Sequence, residues 1–220
     1  MTDWEERAVR AAERHDDGAA RLPEEPNEPD ERQRQLTRMG NAAWAAGLSL
    51  LMLGRRDEAA DWLLCAADRY RESWPDAPPG SWGRPIGAMK SRLIAGDWEG
   101  ACSDARWALE AGATKSESPI GRYAAALAHL VLDEDAEARE LASTLLGRAD
   151  FPSTVARSVA GLSAGDPSGY DKAIHTLVED FEGRREFLED VPVADTVLAL
   201  QALAARRGLA VSLRSPLLPV

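Results

Sequence analysis

The sequence predicts an all-α protein, an irregular α-solenoid of stacked helical hairpins that ends in a short extended C-terminal tail. Three observations predict it. Ala and Leu dominate a 45% hydrophobic content in which aromatic residues are only 6% of the chain, so intrinsic propensity favours helix over strand. Apolar residues recur at spacings of three and four, as one buried helix face requires. One turn pattern, a helix closed by Gly and followed by acids that suit the start of the next helix, returns along the chain. At 220 residues a single core is comfortable, and one domain over 1–220 is expected.

Residues 1–21 form the first element, a polar helix from Asp3 to Ala20 with Trp4, Ala8, Ala11 and Ala12 as a narrow apolar stripe. Residues 22–30 then pack three prolines and four acids (Glu24, Glu25, Glu28 and Asp30) into nine positions, which reads as an exposed acidic connector. Residues 31–182 hold four hairpins. The first runs through Leu36, Met39, Ala43, Trp44, Leu48 and Leu51, turns at Gly54, and continues through Ala59, Trp62, Ala66 and Tyr70. The second turns at Gly96, where Asp97 is placed to cap a helix carrying Ala101, Ala105 and Leu109 inward. The third begins at Ser118-Pro119, a capping Ser before a first-turn Pro, and turns at Asp133, where acids replace the Gly. The fourth begins near Phe151-Pro152 and turns at Gly165 before a helix around Tyr170 to Phe181. The four turn positions lie 42, 37 and 32 residues apart, so no strict repeat is present. Residues 183–220 supply a capping helix from about Val191 to Arg207 and the tail from Gly208 onward.

Charge narrows the function classes. Thirty-seven acids against 26 bases give a net charge of −11, which disfavours phosphate backbones and anionic membranes and favours a basic partner. The chain opens acidic, without a secretory signal, and its longest apolar run, 42–53, falls short of a membrane span, so a cytoplasmic location is expected.

Signatures of chemistry are missing. His15, His129 and His175 are far apart and show no metal-ligand spacing, and Cys65 and Cys102 read as isolated thiols on helices. Gly80-Ser81-Trp82-Gly83 lacks the Lys and the preceding strand of a phosphate loop, and no nucleophile elbow surrounds Ser163 or Ser168. Paired acids such as Asp16-Asp17 and Asp133-Glu134-Asp135 fit helix starts and solvated connectors better than a catalytic cleft. No catalytic, metal or cofactor site is therefore expected. Of the seven tryptophans, Trp44, Trp62, Trp98 and Trp107 suit packing between helices. Trp74 and Trp82 bracket a Pro-rich loop, where they would either clamp a partner or fold back over a helix end.

Two resemblances add to this reading. Leu53-Gly54-Arg55-x-Asp57-Glu58-Ala59, with Trp44 ten residues before the Gly, resembles the junction inside a tetratricopeptide repeat. It covers about residues 41–148 and implies an interaction scaffold with a concave binding surface. More of the chain is similar to an all-α family of polymorphic-toxin immunity proteins, immunity family forty-nine. The similarity rests on Ile94-Ala95-Gly96-Asp97 with Ala101, Tyr123 to Leu127, Tyr170 to Ala173, Leu198 to Val211, and Ser215 to Pro219, in that order. It implies an antidote that binds a cognate toxin domain without cofactor or turnover. Many toxins of such systems are nucleases with basic surfaces, which an acidic chain would attract. The expectation is thus a non-enzymatic protein-binding module that sequesters a basic toxin domain. Candidate partner-binding residues are Trp74, Trp82, Glu24, Glu25, Glu28 and Asp30. The alternative is a general tetratricopeptide-like adaptor for peptides or complexes, and the remote one a hydrolase with an inter-helical acidic site.

Overall fold

Four turns with one hydrogen-bond pattern organise the chain. Gly54, Gly96, Asp133 and Gly165 all adopt positive φ, at 74°, 79°, 59° and 63°. At each turn the next N–H reaches back five residues to a helix carbonyl: Arg55 to Leu50, Asp97 to Arg92, Glu134 to His129 and Asp166 to Gly161. The left-handed residue closes a second, tighter bond, which makes each turn a Schellman motif. Gly adopts this conformation without a Cβ clash, and Asp133 is among the residue types that tolerate it.

The computed structural model describes residues 3–22 and 29–220. Among them are ten α-helices and no strand. These are α1 (Asp3–Ala20), α2 (Pro29–Met52), α3 (Arg56–Glu72), α4 (Gly83–Ala95), α5 (Trp98–Glu110), α6 (Pro119–Val131), α7 (Asp135–Leu145), α8 (Ser153–Ser163), α9 (Pro167–Glu182) and α10 (Asp195–Arg206). The four turns join α2 to α3, α4 to α5, α6 to α7 and α8 to α9, the four hairpins read from the sequence. Two expected caps form as well: Asp97 accepts from the Gly100 N–H at 2.9 Å, and Ser118 accepts from the Gly121 N–H at 3.1 Å. Pro152 differs from Pro119 in standing one residue before its helix, without a side-chain cap.

Each helix packs on the next in sequence, α6 also touches α4 and α8, and α10 touches α4 and α8. The expected faces are the buried ones: Leu36, Met39, Ala43 and Leu48 of α2, Ala59, Ala66 and Tyr70 of α3, and Ala101 and Ala105 of α5. One apolar cluster runs from α4 to α10 and takes in Leu218 of the tail; a second joins α1, α2 and α3. No helix of the described residues is long and apolar enough to cross a membrane.

The last helix begins at Asp195, four residues later than the expected Val191. Val191 is extended, both it and Val193 are buried against the α2–α3 cluster, and the Ala194 N–H is bonded to the Leu217 carbonyl at 3.0 Å. Alternate burial of two β-branched residues takes precedence over helix propensity there.

Candidate partner-binding surfaces

The loop between α3 and α4 holds the two tryptophans singled out from the sequence, and it folds back on the body of the protein. Trp82 is only 8% exposed. Its ring lies 5.6 Å from Trp74, which meets Trp107 of α5 edge-on at 5.5 Å. The Arg71 guanidinium stacks 5.2 Å from Trp107. Of the two roles open to these rings, covering helix ends is the one the packing supports, and Trp82 has little surface to offer a partner. Asp30 lies exposed in the first turn of α2, where it accepts from the Gln33 amide and pairs with Arg34, both at 2.8 Å. Glu24, Glu25 and Glu28 lie outside the described residues.

Charge is divided by helix class. The helices that open the last three hairpins, α4, α6 and α8, carry Arg84, Lys90, Arg92, Arg122 and Arg157 and no acid. The helices that close the hairpins, α3, α5, α7 and α9, carry fifteen acids against six bases. Their substantial contacts are only with their sequence neighbours, which leaves their outer faces to solvent. The net charge of −11 counts the acids without placing them; these four helices carry fifteen of the 37.

A groove of about 410 Å³ opens between α2, α4 and the start of α10. Tyr70 belongs to α3, yet its ring reaches this groove between Gly40 of α2 and Gly87 of α4. A Cβ on either glycine would stand 3.0 or 2.8 Å from the ring. The Tyr70 hydroxyl donates to the Asn41 amide oxygen at 3.0 Å. Opposite, Lys90 forms an ion pair with Asp195 and donates to the Thr196 hydroxyl at 2.9 Å. Trp44, Ile86 and Leu188 supply apolar wall. Burial, reinforced by the Asp195 and Glu189 carboxylates, pushes the Tyr70 hydroxyl far above the usual tyrosine range. The groove therefore holds a permanent phenol and a neutralised Lys–Asp pair, which suit recognition by hydrogen bonding better than proton transfer.

A third constellation has no signal in the sequence, because its members are fifty residues apart. His15 Nε2 of α1 lies 3.4 Å from the Cys65 thiol of α3, while its Nδ1 lies 3.2 Å from Asp16 and its ring meets Trp62 edge-on at 5.2 Å. The order Cys–His–Asp is that of a cysteine nucleophile, but burial pushes the Cys65 thiol upward, against the depressed value such a nucleophile needs. The pair therefore reads as a packing contact joining α1 to α3. Among the described residues no group of three or more His, Cys, Asp or Glu side chains is placed to hold a metal ion.

Compared with known proteins, the chain matches no family model, no curated protein and no solved structure.

Proposed function

We propose that this chain is a non-enzymatic protein-binding module, an immunity protein that sequesters a cognate toxin domain with a basic surface in the cytoplasm. Its architecture on this reading is an irregular α-solenoid of tetratricopeptide-like hairpins, closed by α10 and the tail. The division of charge carries the proposal. Apart from the buried Asp104, the acids of α3, α5, α7 and α9 are at least partly open to solvent and would attract an approaching basic domain, which accelerates encounter and rejects acidic competitors. The sequence similarity between Ile94 and Pro219 points the same way.

Co-expression with the toxin domain encoded beside its gene tests this. The expected result is protection of the cell and a complex that weakens as salt rises. Reversing the exposed Glu137, Glu140 and Glu179 to Lys should slow association several-fold, with little effect on stability. Absence of both protection and complex overturns the proposal.

A second reading, a general adaptor, is favoured by the groove between α2, α4 and α10, where Asn41 and Tyr70 offer fixed polar groups beside apolar wall. An Asn41→Ala variant that loses partner binding while the triple Lys variant keeps it would select this reading.

A further inference from the structure

Arginines of α1 and α2 converge on one trough. A trough of about 870 Å³ runs between α1 and α2, walled by Arg14 and Arg21 on one side and Arg34 and Arg38 on the other. A smaller cavity continues it along α1 past Arg7 and Arg10, and Arg14 and Glu189 line both. The joined lining holds six arginines against Asp17, Glu31, Glu189 and Asp190; Arg7, Arg10 and Arg34 are already paired with Asp3, Glu6 and Asp30. Arg21 and Arg38 are exposed and have no acidic partner among the described residues.

One carboxylate already sits in the trough. Glu189 pairs with Arg14 at 3.1 Å. It is delivered by a turn in which Glu189 and Asp190 are both left-handed, at φ 54° and 57°, and the Arg7 guanidinium donates to the Asp190 carbonyl. Two consecutive non-glycine residues in that region are strained, so the ion pair is held against a conformational cost. Guanidinium forks match carboxylates in geometry as well as charge.

We propose that this trough binds a short acidic peptide segment, whose carboxylates take Arg21 and Arg38 and compete with Glu189 for Arg14. Its volume suits a few residues rather than a folded domain. The net charge of −11 repels a long polyanion such as nucleic acid at larger distance. The site is separate from the acidic outer helices and stands whether or not they bind a toxin.

Fluorescence anisotropy with labelled hexaglutamate at low salt is the test. The folded chain should bind it, and an Arg21→Glu/Arg38→Glu variant should lose about tenfold or more in affinity. Arg157→Glu on α8 should bind like the parent, which excludes a general charge effect. Glu189→Gln should bind more tightly, because the internal competitor is gone, whereas Glu117→Gln, an equal charge change at an exposed residue outside the trough, should bind like the parent. Circular dichroism of each variant establishes that it is folded. No binding at millimolar peptide, equal binding by the Arg21/Arg38 variant, or equally tight binding of an oligothymidylate of the same charge overturns the proposal.

Discussion

Arg92 donates from Nε to the Asp104 carboxylate at 2.7 Å, in a side chain that is only 1% exposed. The same guanidinium reaches Asp97 at 2.7 Å and Asp68 at 2.6 Å, and Arg71 takes the second Asp104 oxygen at 2.7 Å. One planar fork thus ties α3, the α4–α5 turn and α5 together. Burial pushes the Asp104 carboxyl above the usual aspartate value, against the pull of both guanidiniums. Asp104→Ala removes the buried acceptor of both guanidiniums but leaves Arg92 paired with Asp97 and Asp68 and Arg71 partly in solvent, so it should cost about 1–3 kcal/mol in urea unfolding. A double variant with Arg92→Met should cost less than the sum of the two single changes.

Gly87 and Gly83 open the same helix and should respond in opposite directions. A Cβ at Gly87 meets the Tyr70 ring at 2.8 Å, and overpacking costs about 1–3 kcal/mol, more than the helix-propensity gain of up to about 1 kcal/mol. Gly87→Ala should therefore lower Tm. Nothing lies within 4 Å of a Cβ at Gly83, so Gly83→Ala should raise stability by about 0.4–1 kcal/mol. Equal shifts for the two would overturn the claim that Tyr70 threads between α2 and α4.

The four Schellman turns make a third comparison. Gly54→Ala places a Cβ at φ 74° and should cost about 1–2 kcal/mol. Asp133 already bears that strain, and its exposed bridges to Arg206 and Arg207, at 3.4 and 3.3 Å, contribute at most about 1 kcal/mol. Asp133→Gly should be neutral or stabilising in thermal unfolding, and a clear loss would show that the bridges outweigh the backbone.

All three tyrosines of the chain hold their protons strongly. Burial is the first cause at Tyr70, Tyr123 and Tyr170, and it raises each well above the free phenol. Because the folded pKa exceeds the unfolded value of about 10, the stabilising contribution is complete below that pH and is lost as pH rises further. Tyrosinate absorbance should therefore appear only together with loss of helical circular dichroism. Titration of any tyrosine in the folded chain would contradict the buried placements.

Much of the secondary structure was legible because its causes are local. The Schellman bonds at Gly54, Gly96, Asp133 and Gly165 close within six residues, and Asp97 and Ser118 cap helices within four, so neighbouring residues alone specify them. The candidate surfaces were legible only in part. Net acidity could be counted, but the solvent exposure of the acids on α3, α5, α7 and α9 depends on which helix of each pair faces its neighbours. Trp74 and Trp82 could be placed in a loop, but not against each other.

The sequence by itself determined the helices, their turns and the four hairpins, since backbone hydrogen bonds and apolar spacing act over one or two turns of chain. Tertiary structure alone decided that Tyr70 passes between Gly40 and Gly87, that His15 meets Cys65, and that arginines of α1 and α2 face each other across a trough. Those relations join residues many positions apart, and they are set by how closely helices cross and which side chains fill the gap.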